Sequence, residues 1–117
     1  MSAIKAAVEH YRSLGTKFID VPEWGEPGKP LRVYWKPLTV GERNKLLHDG
    51  LEGKGSDADV LIMKALDGEG KKLFTIEHKE PLLRETDATV VTRIASAILG
   101  HIGPEELEKN SAAIPSG

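Results

Sequence analysis

The sequence predicts an α+β fold that is mainly helical, with four to five helices and a small N-terminal antiparallel β-hairpin. Two patterns predict it. The segment LRVYWK alternates apolar and polar side chains, as a half-buried strand does. Several other segments repeat apolar residues at helical spacing and are bounded by capping residues or glycine. A length of 117 residues is typical of one domain, which we place at residues 1–110, with a flexible C-terminal tail at 111–117.

The first predicted helix lies near the N-terminus. Ile4, Ala7, Val8 and Tyr11 fall at i, i+3, i+4 and i+7, which places them on one helix face, and Gly15 should end the helix. We expect this face to pack on the rest of the domain; the alternative is that it lies against a partner.

The next two segments predict the hairpin. KFIDV is short and rich in strand-forming residues, and Pro22 should stop it. In LRVYWK, one face should carry Leu31, Val33 and Trp35. Between the strands, PEWGEPGKP is dense in proline and glycine, which predicts a long loop. Because an isolated hairpin is marginal in water, helices should cover its apolar face.

Two helices should follow the hairpin. Thr39 and Glu42 match the capping-box pattern, which predicts a helix over about 40–49. Its inward side chains should be Leu46 and Leu47. After a glycine-rich break, Ser56 or Asp57 can cap a second helix. The core-facing stripe of that helix should consist of Ala58, Leu61, Ile62, Ala65 and Leu66.

The strongest core helix is predicted in the C-terminal half. A polar connection and a short helical turn lead to Thr86 or Asp87, either of which can cap a helix that ends at Gly100. Its apolar stripe should consist of Val90, Val91, Ile94, Ala95, Ile98 and Leu99. The segment GPEELEKN then predicts a last short helix that begins near Pro104.

The stretch ALDGEGKKLFT resembles a calcium loop, because its acidic residues alternate with glycines. An EF-hand loop that began at Asp67 would need an oxygen ligand at its fifth position, glycine at its sixth and glutamate at its twelfth. The sequence has Lys71, Lys72 and His78 at those places. We therefore predict a glycine-built turn without a metal, after which LFT returns to the core.

No pattern of a catalytic or cofactor site stands out elsewhere. The four histidines are not spaced as metal-binding pairs, and the chain has no cysteine for disulfides or thiolate ligands. The GxxxxGK[ST] phosphate loop is missing. No GxSxG elbow supports a Ser-His-Asp arrangement, although the sequence alone does not decide against one. We expect a protein that is not an enzyme and has no catalytic residue, metal or cofactor.

Charge and hydropathy narrow the classes of partner. With 16 basic and 18 acidic residues the net charge is -2, which gives no reason to expect nucleic acid or an anionic membrane. No apolar run is long enough to span a bilayer, and Glu9 and His10 interrupt the apolar region that a signal peptide needs. We expect a cytoplasmic protein whose partners are proteins.

Two segments are candidates for partner binding. Trp24 lies in the Pro/Gly segment, and tryptophan is over-represented at interface hot spots; the alternative is that it folds back over the hairpin beside Trp35. The second candidate is the charged segment PEELEKN, with the alternative that it is only a solvated helix. Its contact residues would be Glu105, Glu106, Glu108, Lys109 and Asn110.

Three short motifs occur in order along the chain: L-T-x-x-E-R after a strand, D-x-x-G-x-x-L-F-T in a turn before a helix, and a closing E-K-N. They comprise Leu38, Thr39, Glu42 and Arg43; Asp67, Gly70, Leu73, Phe74 and Thr75; and Glu108, Lys109 and Asn110. In order and spacing the chain resembles the tail assembly chaperones of long-tailed bacteriophages and prophages. The resemblance extends from about Lys17 to Asn110.

The resemblance implies a chaperone that acts in the cytoplasm of the bacterial host and is not retained in the mature virion. It would bind the tape-measure protein, coat the helical, aggregation-prone segments of that protein, and help to recruit tail-tube subunits. The family also implies a short form and a longer, frameshifted form, of which this chain would be the short form or the shared domain. The alternatives are a small structural tail or head-tail joining protein, and a regulatory or nucleic-acid-binding module, against which the lack of a basic stripe counts.

Overall fold

A two-stranded antiparallel hairpin and five α-helices make up the part of the chain that the computed structural model describes, residues 2–51 and 56–100. The prediction of an α+β, mainly helical fold is confirmed. The elements are α1 (Ala3–Leu14), β1 (Lys17–Glu26), β2 (Lys29–Trp35), α2 (Val40–Leu51), α3 (Asp57–Lys64), a 3-10 turn (Ile76–His78), α4 (Lys79–Arg84) and α5 (Ala88–Leu99). The helix predicted in GPEELEKN lies outside the described residues.

The hairpin is longer, and its connection shorter, than the sequence predicts. β1 continues through Pro22 to Glu26, and a turn at Pro27 and Gly28 leads directly into β2. The prediction of a long loop is therefore wrong. The proline is tolerated because the pairing is irregular there, with a register shift between Val21 and Glu26.

Gly25 lies where the two strands come too close together for a side chain. A Cβ atom at this position would lie 2.3 Å from the carbonyl oxygen of Lys29 and 2.6 Å from the backbone nitrogen of Leu31. Backbone atoms cannot be approached so closely without displacing the chain. The glycine that suggested a loop is instead a requirement of the strand pairing.

The core lies between one face of the hairpin and the helices α3 and α5. On the predicted face of β2, Val33 and Trp35 are buried and Leu31 is half-buried. The largest fully buried side chains in the described residues are Leu61, Ile94, Val21 and Val33. The core thus joins side chains from β1, β2, α3 and α5, which meets the need of a small hairpin for helical cover.

Capping residues fix the starts of the helices where the sequence places them. At α2, the Glu42 amide donates to the Thr39 hydroxyl at 3.2 Å, and the Thr39 amide donates to the Glu42 carboxylate at 3.0 Å. Ser56 caps α3 and Asp87 caps α5, each by accepting an amide hydrogen bond from the first turn. These bonds satisfy backbone donors that would otherwise lack a partner.

The apolar stripes of the helices are buried to different extents. In α5, five of the predicted stripe residues are buried and Leu99 is half-buried. In α2, Leu46 packs against the core, but Leu47 is 58% exposed, so the prediction that both leucines point inward is wrong. Consecutive side chains of a helix point about 100° apart, and α2 covers the core with one side only.

Helix α1 has the predicted bounds and ends at Gly15, but its apolar face is not covered by the described domain. None of its residues is buried. A hydrogen bond ties the helix to the rest of the fold, since the Tyr11 hydroxyl donates to the Pro37 carbonyl oxygen at 2.5 Å. Because β1 begins at Lys17, which pairs with Trp35 at the end of β2, the helix is held at the end of the hairpin. Among the described residues, the predicted packing of this face on its own domain is limited to Tyr11, which is half-buried.

Candidate functional site

The stretch ALDGEGKKLFT forms the predicted turn, and its acidic side chain serves the turn itself. The Asp67 carboxylate accepts hydrogen bonds from the amides of Glu69 at 2.8 Å and Lys71 at 2.9 Å, while Gly70 takes a φ of +85°. The bonds from Lys71 and Glu69 hold the pKa of Asp67 below its ordinary value. These hydrogen bonds and the glycine conformation account for the alternation of acidic residues and glycines.

The start of the turn is also hydrogen-bonded to β2. Leu66 makes reciprocal backbone hydrogen bonds with Tyr34 of β2, at 2.8 and 2.9 Å, and bridges to Lys72 on the other side of the turn. The residues after the turn, Leu73 and Phe74, pack against the core as predicted. The stretch is therefore a structural connection that carries the chain from α3 to the 3-10 turn.

Trp24 is half-buried and contacts an aromatic row. Its ring meets that of Phe74 edge to face, with 6.1 Å between centroids, and Phe74 meets His78 in the same way at 6.3 Å. Of the two alternatives for Trp24, the side chain does fold back, but its ring partner is Phe74 rather than Trp35. Part of the ring still reaches solvent, so Trp24 remains available as a contact residue.

Beside the aromatic row lies an apolar hollow of about 240 Å³. Leu73, Phe74, Pro81 and Leu82 supply most of its wall. Two polar residues, His78 and Thr86, also line the hollow, and both are already engaged. The His78 Nδ1 accepts a hydrogen bond from the Thr75 amide at 3.0 Å, and the Thr86 hydroxyl donates to the Leu82 carbonyl oxygen at 2.6 Å. The hollow therefore offers apolar surface and few unused polar groups.

The second predicted binding segment lies outside the described residues. It comprises Glu105, Glu106, Glu108, Lys109 and Asn110. These five residues are consequently not placed relative to Trp24 or to any other candidate surface.

A larger groove of about 420 Å³ lies between α2, α3 and the 3-10 turn. Its floor is apolar and consists of Leu46, Ile62, Met63 and Ile76. Leu46 and Ile62 are partly buried and pack against the core, whereas Ile76 is 67% exposed. The groove therefore presents apolar side chains to solvent.

The rim of this groove carries three lysines, Lys45, Lys72 and Lys79, and one aspartate, Asp59. Lys79 lies 3.1 Å from the Asp59 carboxylate, and Lys72 donates to the carbonyl oxygen of Ile62 at 3.1 Å. A carbonyl oxygen near the end of a helix carries no net charge, so the charge of Lys72 is not neutralised. We call this feature the lysine-rimmed groove.

One wall of the lysine-rimmed groove is held by a largely buried lysine. Lys64 on α3, which is 7% exposed, donates to the Glu42 carboxylate of α2 at 2.9 Å. Burial disfavours the charge on Glu42, but hydrogen bonds from Thr39 and Lys64 outweigh it, and the pKa of Glu42 lies below its ordinary value. Glu42 thus caps α2 and ties it to α3.

The third candidate surface is the uncovered face of α1. Ile4 is 72% exposed, Val8 is 40% exposed and Leu14 is 38% exposed. These residues lie on the same side of the helix as Ala7 and Tyr11. The helix itself is stabilised locally, since the Ser2 hydroxyl accepts a hydrogen bond from the Lys5 amide.

Two of these features escaped the sequence reasoning for different reasons. Lys64 follows Leu61 by three residues, so it falls on the buried stripe of α3; a lysine at such a position is a signal for a buried partner, here Glu42. The rim lysines come from separate segments of the chain, and no local pattern relates them.

Comparisons of the chain with protein-family models, with curated proteins and with solved structures gave no match in any of the three. Within residues 2–51 and 56–100, no helix is long and apolar enough to cross a membrane. The same residues contain no group of three or more acidic or histidine side chains placed to hold a metal ion.

Proposed function

We propose that this chain is a tail assembly chaperone of a phage or prophage, a non-catalytic protein that binds the tape-measure protein and helps to recruit tail-tube subunits. The observation that carries the proposal is the uncovered apolar face of α1. The proposal includes action in the cytoplasm of the bacterial host and absence from the mature virion.

The face of α1 suits a long, helical client. An amphipathic helix is recognised through apolar residues at i, i+3, i+4 and i+7, and α1 offers that spacing with Ile4, Ala7, Val8 and Tyr11. Because α1 is capped and formed without the client, binding does not have to order it. A surface of this kind can shield an aggregation-prone helix while tail-tube subunits assemble.

The motifs of the resemblance add a second line of support. In this fold, Thr39 and Glu42 form the cap of α2, and Asp67 and Gly70 form the turn after α3. These residues have distinct structural roles, as residues of a shared fold would. The proposal rests on their order along the chain together with these roles.

Co-expression with the neighbouring tape-measure protein tests the proposal. The expected result is a soluble complex that is captured through a tag on either protein. Replacing Ile4 and Val8 with serine should reduce capture at least tenfold, because the variant removes the apolar contacts of α1. The matched control is Val40→Ser combined with Leu83→Ser, since Val40 is 78% exposed and Leu83 is 49% exposed on other helices.

Failure to recover a complex with the unmodified chain would refute the proposal. Mass spectrometry of purified particles separates the alternative, a structural tail or head-tail joining protein. A chaperone is expected to be scarce or missing in particles, whereas a structural part would be present in stoichiometric amounts.

A further inference from the structure

We propose that the lysine-rimmed groove is a docking site for an acidic amphipathic helix of a partner protein. The groove takes none of its lining from α1, so this site holds or fails independently of the proposed function. Its occupant is defined by the two properties that the groove combines, an apolar floor and a cationic rim.

The apolar floor determines where the apolar side chains of the bound partner helix lie. Ile62, Met63 and Ile76 supply aliphatic and thioether surface, and methionine adapts to side chains of different shape. A ligand that carries only charged or polar groups would displace water from this floor without making apolar contacts to it. A helix with leucines at i, i+3 and i+4 would cover the floor and stay in register with it.

The rim determines the charge of the occupant. Among the described residues, three lysines face one aspartate around the groove, whereas the chain as a whole has a net charge of -2. The local charge therefore opposes the overall charge, and it is concentrated at one site. Glutamates on the flanks of a helix would lie beside Lys45 and Lys72, and charge complementarity of this kind selects among partners.

Fluorescence anisotropy with synthetic peptides and the full chain tests the site. The probe is a labelled peptide of about five helical turns, with a leucine stripe flanked by glutamates. Its counterpart carries lysines in place of the glutamates. The chain should bind the glutamate peptide at least tenfold more tightly, and the difference should shrink as salt is raised, because the rim is exposed.

Variants of the chain assign the binding to the groove. Lys45→Glu combined with Lys72→Glu should weaken binding of the glutamate peptide about tenfold. Lys29→Glu combined with Lys36→Glu makes the same change in net charge outside the groove and should leave the affinity within about twofold. Circular dichroism of each variant establishes that the chain is folded.

The apolar floor is tested by Ile76→Ser, which should also weaken binding about tenfold. Its control is Leu83→Ser, because Leu83 is 49% exposed and lies outside the groove. Equal affinity for the two peptides, or equal effects of the groove variants and their controls, would overturn the proposal.

Binding to vesicles of phosphatidylglycerol and phosphatidylcholine that depends on the same lysines would also overturn it, in favour of a lipid surface. A soluble complex with the tape-measure protein, together with equal affinity of the chain for the two peptides, would refute this site and leave the proposed function standing. Peptide binding at the groove without any tape-measure complex would refute the proposed function and leave the groove site standing.

Discussion

The pair formed by Glu42 and Lys64 gives an asymmetric prediction for stability. Glu42→Ala leaves the Lys64 ammonium, whose side chain is 8% exposed, without its carboxylate partner, and it also removes half of the α2 cap. The lost charged hydrogen bond is worth about 2 kcal/mol after partial solvation of the Glu42 side chain, and the cap about 1 kcal/mol. We expect the free energy of unfolding to fall by about 2–3 kcal/mol.

The reciprocal change should cost much less. Lys64→Met removes the buried charge and keeps the apolar stem, while Glu42, whose side chain is 33% exposed, can be solvated and still caps Thr39. The expected loss is about 1 kcal/mol or less. In the double variant, Lys64→Met should restore part of the stability that Glu42→Ala loses, since no unpaired ammonium remains.

Urea denaturation followed by circular dichroism measures these differences, with the midpoint and slope determined for each variant. The reasoning is refuted if Lys64→Met destabilises as much as Glu42→Ala, or if the double variant is less stable than Glu42→Ala alone. The pKa of Glu42 is depressed in the fold, so its contribution is complete above the unfolded-state value near 4.5 and is lost as the pH falls through the folded-state value. The gap between the wild type and Glu42→Gln should therefore close in acid.

Three further outcomes are expected. Asp87→Ala should lower the free energy of unfolding by about 1 kcal/mol through loss of the α5 cap, whereas Asp87→Asn should cost less than about half of that, as urea titration can establish. Gly25→Ala should shift the hairpin backbone and destabilise by at least about 1 kcal/mol; unchanged amide hydrogen exchange in β1 would contradict this. Trp24→Ala should weaken capture of the tape-measure protein and, by loss of the Phe74 contact, lower stability by about 2 kcal/mol without unfolding the chain, whereas Trp24→Phe should be milder in both assays.

Local chemistry made the helices predictable. Thr39, Ser56 and Asp87 cap helices by bonding to groups two or three residues away. Both partners of each bond therefore lie within one short sequence pattern. The turn at Asp67 is of the same kind. The prediction for the hairpin connection is wrong because a high density of proline and glycine indicates only an irregular backbone. A bulged strand that ends in a tight turn has an irregular backbone too, so the composition does not distinguish it from a loop.

Contacts between segments that are distant in sequence were harder to predict. Periodicity defines an apolar face, but it does not tell whether the domain covers that face, which is why the exposure of α1 and of Leu47 was not foreseen. The lysine-rimmed groove joins Lys45 to Lys72 and Lys79 across three segments, and a single sequence contains no signal for that proximity. Trp24 stays a predicted contact residue, and its ring partner depends on the path of the chain after α3.

The contact between β1 and α5 has a consequence for the order of folding. The Arg93 guanidinium donates to the Glu23 carboxylate at 2.6 and 3.0 Å across a separation of 70 residues, and the same two elements share the core. During synthesis the hairpin leaves the ribosome long before the helix that covers it. The nascent chain therefore carries an open apolar sheet until α5 emerges, so that completion of the core is a late, nearly all-or-none event.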